Sequence, residues 1–181
     1  SMEGTGADAE PASTVADEIA AGGGAAISDH HDVATPAGAQ ALVDSAIAQF
    51  GRLDIVINNA GIVRWAGFPE ADADNLDRHL AVHVGGSFNT TRAAWPHMVE
   101  RGYGRIVMTG STGMFGLPNN LSYAAAKGAV VGLARSLAAG GDDAAALRVA
   151  GRHPFSRQVA AEALPVGDRG DPGHRGGRRH R

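Results

Sequence analysis

The chain has 181 residues, a hydrophobic fraction of 44% and a formal net charge of −3. That length and apolar content fit one domain with a real core, and the charge balance argues against nucleic acid or a membrane surface as the main partner. Without cysteine, disulfides, thiolate metal sites and cysteine nucleophiles are excluded.

No apolar run approaches the ~18 residues of a membrane span. Ser1-Met2-Glu3-Gly4 has neither a basic nor an apolar leader region, so no secretory signal is expected and the chain is assigned to the cytoplasm. Residues 1–12 are small and acidic and read as a loop. Ser13 or Thr14 caps a short helix that Gly22-Gly23-Gly24 stops. Ala25–Ser28 is a weak strand candidate leading to Asp32-Val33. Thr35-Pro36 opens the next helix as N-cap and first residue. Leu42, Val43, Ala46, Ile47 and Phe50 form its apolar face, and Gly51 ends it.

Leu53–Ile57 is nearly all apolar, as expected of a strand buried on both faces of a parallel sheet. Asn58-Asn59-Ala60-Gly61 follows at its carboxyl end. Leu76, Leu80, Val84, Phe88, Thr91 and Trp95 form the stripe of a long helix. Gly104 opens a second strand through Thr109, and a Gly/Ser loop at 110–116 leads to a helix carrying Tyr123 and Lys127. Leu147-Arg148-Val149 begins a strand that Gly151, Arg152 and His153 suit badly. Gly167–Arg181 holds five Gly and five Arg, and residues 155–181 are expected to be a disordered tail. The folded domain is therefore expected over 13–154, after the loop at 1–12.

Helix and strand alternate, which argues for an α/β fold with a parallel sheet. In such sheets ligands bind outside the carboxyl ends of the strands, where both 58–61 and 109–116 fall. Lys127 is the only lysine; every other Lys+Arg residue is arginine. It stands four residues after Tyr123, on the same helix face. An ammonium there favours ionisation of a phenol whose ordinary pKa is about 10.

Asp32-Val33, Asn58-Asn59-Ala60-Gly61, Ser111 and Tyr123-x-x-x-Lys127, in that order, resemble the short-chain dehydrogenase/reductase family. The resemblance runs from about residue 3 to 139. It implies a Rossmann-like sheet flanked by helices, and interconversion of a secondary alcohol and a carbonyl with NAD or NADP. Tyr123 would be the general acid/base, Lys127 would assist it and hold the nicotinamide ribose, and Ser111 would orient the substrate oxygen. Asp32 and Val33 would meet the adenine, and Asn59, Ala60 and Gly61 would line the cofactor. His83 stands where most of the family has a proton-relay asparagine; one branch, including peroxisomal multifunctional enzymes of β-oxidation, has His there. That branch implies a small-molecule alcohol or ketone, acyl-CoA among the options. The family's long helices imply a homodimer through 76–98 and 123–138.

Competing readings stand beside these. Asp32 also reads as a turn or capping residue, Ser111 as a loop serine, His83 as a partly buried helix histidine, and Tyr123 with Lys127 as an ordinary helix face. The other histidines, His30, His31, His79, His97, His153, His174 and His180, show no metal spacing and are expected on the surface. Ser111 stands twelve residues before Tyr123, where the family has thirteen; that position is Gly110. The family's first two strands and its Thr-Gly-x-x-x-Gly-x-Gly turn have no match in the sequence. The sheet is therefore expected to be incomplete, with an exposed edge at 53–57. A non-catalytic truncated homologue or interaction fragment that binds no dinucleotide is the alternative to the enzyme.

Overall fold

The computed structural model describes residues 10–139 and the strands at 147–153 and 156–160. The expected loops at 1–9 and 140–143 and the segment 161–181 lie outside these residues.

The first helix, α1 (Glu10–Ala21), begins four or five residues earlier than its Ser13/Thr14 caps predicted. Glu10 and Pro11 belong to the helix rather than to a loop. A proline is favourable in a first turn, where its missing N–H would have no partner. Helix α2 (Pro36–Phe50) follows the sequence: Thr35 Oγ1 accepts the Gly38 N–H at 3.1 Å, and Gly51 closes the helix in the left-handed region at φ 72°.

Strands β1 (Ile55–Asn58), β2 (Gly104–Thr109) and β3 (Leu147–His153) run parallel, and β4 (Ser156–Ala160) is antiparallel to β3. The order is β1-β2-β3-β4. In β2, Gly104, Ile106 and Met108 are buried and alternate with half-buried neighbours, as a covered sheet requires. Ile106 and Met108 join Val43 of α2, Ala93, Ala94 and Met98 of α4 (Gly86–Glu100) and Val130 of α5 (Leu121–Ala139) in one core.

Four expectations are corrected. Ala25–Ser28 forms no strand. Among the described residues β1 therefore has no outer neighbour, as the exposed edge expected at 53–57 requires, but it is not buried on both faces: Ile55 is 54% and Ile57 65% exposed. The third strand extends through Gly151-Arg152-His153, because ladder hydrogen bonds come from the backbone; a register shift at 151/153 takes up the irregularity. Residues 156–160, expected as tail, pair with β3 instead.

The long helix of the 76–95 stripe is three elements. Asp72 caps α3 (Ala73–His79) by accepting the Asn75 N–H at 2.8 Å. A π-helical turn comes next at Leu80–Gly85, then α4. The wider turn adds a residue per hydrogen-bonded loop and rotates α4 relative to α3. A nearby hydroxyl gives a carbonyl there a donor: Ser87 Oγ donates to His83 O at 2.6 Å. Among the described residues no helix is long and apolar enough to cross a membrane.

Candidate active site

The predicted site residues fall into two neighbouring groups. The first surrounds Tyr123 near the start of α5. Lys127, one turn on, is 5% exposed; its Nζ donates to Thr109 O, at the end of β2, at 2.7 Å and lies 5.7 Å from the centre of the Tyr123 ring. Burial pushes the ammonium below its ordinary lysine value. A lysine so deeply placed with a single backbone acceptor is costly unless it serves something.

His83 sits on the π turn with 2% exposure, its ring edge-on to Tyr123 at 5.3 Å between centres. Nε2 donates to Ile62 O at 2.9 Å, the shorter of its contacts with that residue; the Ile62 N–H lies at 3.3 Å. That leaves Nδ1 as the unprotonated nitrogen, and it is buried without a hydrogen-bond partner. Burial lowers its pKa from 6.5 to about 4, and the charge of Lys127 adds to the effect. Gly61 makes the close approach feasible: a Cβ there would lie 2.4 Å from His83 Cε1 and 2.9 Å from Nδ1. A tetrapeptide ending in any larger residue would displace the imidazole.

Ser111 caps a short 3-10 turn, Thr112–Phe115, with Oγ accepting the Gly113 N–H at 3.1 Å. A Cβ on Gly113 would meet both Tyr123 Cε1 at 3.0 Å and Ser111 Oγ at 3.2 Å, so the glycine brings serine and tyrosine to the same place. The twelve-residue spacing does not carry Ser111 away from the tyrosine.

The second group flanks the carboxyl end of β1. Asn58 ties the strand to α4, its Nδ2 donating to Thr91 Oγ1 at 3.3 Å and its Oδ1 accepting from Thr90 Oγ1. Asn59 Oδ1 accepts from Thr109 Oγ1 at 3.0 Å, joining the ends of β1 and β2. Val33 is pinned by Asn89, whose Nδ2 donates to the Val33 and Ala34 carbonyls at 3.2 Å each, and by contact with Gly86. Val33, Asn59 and Ala60 line one cleft of about 270 Å³, together with Ile55, Ile57 and Leu42. Asp32 is exposed and does not line that cleft; its carboxylate accepts the Ala34 N–H at 2.9 Å within its own turn.

His79 was expected on the surface but is fully buried. Its Nδ1–H donates to Asn75 O at 2.7 Å, and Nε2 accepts the Arg64 N–H at 3.3 Å. It stacks on His83 at 6.0 Å and meets the Tyr123 ring edge-on at 6.3 Å. The missed signal was its spacing: His79 and His83 stand four apart on one helical stripe, so if one faces Tyr123 the other does too.

Comparison with known proteins supports the reading of these motifs. The family model for short chain dehydrogenases matches residues 4–154. A short-chain type dehydrogenase/reductase of Mycobacterium tuberculosis is 42% identical over 137 residues, covering 75% of this chain and 48% of the relative. Mouse peroxisomal multifunctional enzyme type 2 is 40% identical over 138 residues, covering 76% and 18%. An NAD+-bound xylitol dehydrogenase superposes with a TM-score of 0.73 at 29% identity, covering 80% of this chain and 58% of that one. The chain thus spans about half the length of the first of these relatives. With its ordered motifs, its parallel sheet and these matches, the chain belongs to the short-chain dehydrogenase family.

Proposed function

We propose that the chain interconverts a secondary alcohol and a carbonyl with NAD or NADP, Tyr123 transferring the proton. The observation that carries this is the convergence on one phenol of a buried lysine, a buried histidine with an open nitrogen, and a serine. Family membership and the NAD+-bound neighbour support it.

In this reading Ser111, already accepting from Gly113, keeps its own O–H to donate to the substrate oxygen. Tyr123 gives that oxygen a proton or takes one from it. Lys127 supplies a counter-charge for the phenolate that forms, and His83, edge-on to the ring, keeps Nδ1 open as a proton acceptor. The nicotinamide, when bound, supplies or accepts the hydride. Its ribose end fits the residues present. Lys127 has two donors beyond the one on Thr109, and Ala60 and Gly61 expose backbone at the end of β1. For the pyrophosphate, the sequence offers no Thr-Gly-x-x-x-Gly-x-Gly turn.

A second reading, a non-catalytic homologue that holds no dinucleotide, draws on the open edge of β1 and on the Asp32 carboxylate engaged in its own turn. Fluorescence titration of NADH and NADPH onto the purified chain separates the two. The enzyme predicts saturable micromolar-range binding and nucleotide-dependent oxidation of a secondary alcohol. Absence of binding leaves the second reading.

The reading includes a homodimer through 76–98 and 123–138; the apolar cleft between α4 and α5 lined by Phe88, Trp95, Leu133 and Leu137 supports that face. Light scattering should give twice the chain mass of 18.4 kDa; a monomer at micromolar concentration counts against it.

A further inference from the structure

His79 is fully buried at the end of α3, on the face turned to Tyr123. A buried imidazole is costly unless its nitrogens are hydrogen-bonded, and here both are. Nδ1–H donates to Asn75 O at 2.7 Å, and Nε2 accepts the Arg64 N–H at 3.3 Å. Neither nitrogen is left to take part in proton transfer at Tyr123. What the ring does hold is the loop that follows β1.

The two histidines grip alternate residues of that loop. His83 Nε2–H donates to Ile62 O at 2.9 Å, and His79 Nε2 takes the N–H of Arg64, two residues on. Two residues of extended backbone span about 6.6 Å. The imidazoles are stacked 6.0 Å apart and within 10° of parallel, close to that repeat. Four-residue spacing on one helix face supplies the match. Asn75 adds a third point, its Nδ2 donating to Arg64 O at 3.3 Å. Both backbone groups of Arg64 are therefore held by side chains of α3, one turn apart. Ile62, itself buried, lies just upstream of that anchor.

We propose that His79 is a positioning residue that fixes the tautomer of His83. By anchoring Arg64 it holds the Ile62 carbonyl on His83 Nε2–H, and the proton kept there leaves Nδ1 as the acceptor. In an imidazole the bond made by one nitrogen decides the state of the other. A neutral ring carries one N–H, so a weakened bond at Nε2 lets the proton settle on Nδ1 instead. Nδ1 then donates rather than accepts, the wrong state beside a phenol that must shed a proton. The inference rests on the oxidoreductase reading for the use made of Nδ1; the tautomer itself needs neither nucleotide nor turnover.

The test is a long-range proton–nitrogen NMR spectrum of the chain labelled in its eight histidines, recorded near neutral pH, with His83→Asn to assign the His83 signals. In the native chain His83 should stand in the Nε2–H form. His79→Leu removes the acceptor for the Arg64 N–H. It should drive His83 towards a mixture of tautomers and lower kcat about tenfold at unchanged KM, the factor of one ordinary hydrogen bond. His79→Gln carries an amide oxygen at the reach of Nε2 and should restore both. Asp74→Ala removes a partner of the Arg64 guanidinium, not of its backbone, and should change neither. Asn75→Ala puts a good helix former in place of the second anchor and should shift the mixture part of the way, so it decides the matter if His79→Leu does not fold. A native His83 in the Nδ1–H or mixed form overturns the proposal. So does a tautomer unmoved in His79→Leu, or in Asn75→Ala where that variant stands in, or one moved equally by Asp74→Ala. A folded His79→Gln that fails to restore the Nε2–H form overturns it as well. A tautomer shift without turnover in any chain leaves the positioning role standing and removes the catalytic reading; turnover with a native tautomer in every variant does the reverse.

Discussion

Tyr123→Phe should lower kcat/KM by about 10²–10⁴, the usual range for a lost general acid/base, with no change in circular dichroism. The hydroxyl is the only atom removed, and the ring keeps its edge contacts with His79 and His83. Lys127→Met should lower turnover to a similar level and also weaken NADH binding. Methionine fills the same channel without the charge and without a donor for Thr109 O. Losing that charge-assisted hydrogen bond costs about 1.5–3 kcal/mol, which denaturant unfolding would register. Lys127→Arg should not rescue, because a planar fork cannot take the place of a compact ammonium beneath the ring. The double variant should be no worse than the worse single one, as expected of residues acting as a unit. Steady-state kinetics and nucleotide titration on the four proteins decide it; additive losses would separate the lysine from the tyrosine.

Sequence patterns carried the local elements well and the tertiary surroundings less well. Thr35-Pro36 and Gly51 bound α2 because caps and a left-handed glycine are local chemistry. The Tyr-Lys pair was legible because four-residue spacing on a helix brings side chains together. The π turn at Leu80–Gly85 was not, because it depends on how α3 and α4 meet the rest of the fold rather than on propensity. The spacing of His79 to His83 was legible but its burial was not: a regular stripe marks a core face, but only packing against Arg64 and Tyr123 shows that a polar residue on it is satisfied. Leu53–Ile57 read as doubly buried because its composition is that of a central strand. Composition records what a strand is suited to, and the exposure of Ile55 and Ile57 records what lies beside it among the described residues. Gly151–His153 shows the converse, a poor side-chain pattern held in register by its neighbour's backbone.

Acid should destabilise the fold through His83 before the carboxylates begin to titrate. Above pH 6.5 the imidazole is neutral in both folded and unfolded chains and contributes nothing to the pH dependence. Between 6.5 and about 4 the unfolded chain binds a proton that the buried ring refuses, so stability falls as pH falls. The slope approaches about 1.4 kcal/mol per pH unit and the total is of order 3 kcal/mol. The charged and titratable groups facing the ring are Lys127, His79 and Tyr123. The lysine's burial shift lies below an ordinary value of 10.5 and adds no slope in this window while the amine stays protonated. Burial pushes the Asp29 carboxyl up, but hydrogen bonds from His31 outweigh it and hold it below its ordinary value; Arg52 does the same for Asp54. Both carboxylates lose their contribution only below the ordinary value of 3.8. Urea unfolding at half-unit pH steps should therefore show the loss in the native chain, and a loss smaller by about that amount between pH 6.5 and 4 in His83→Asn, whose amide carries no titratable proton. A slope unchanged by the substitution would place the acid-labile group elsewhere. The same burial that makes the ring refuse a proton keeps Nδ1 an acceptor at neutral pH, the state a relay beside Tyr123 requires.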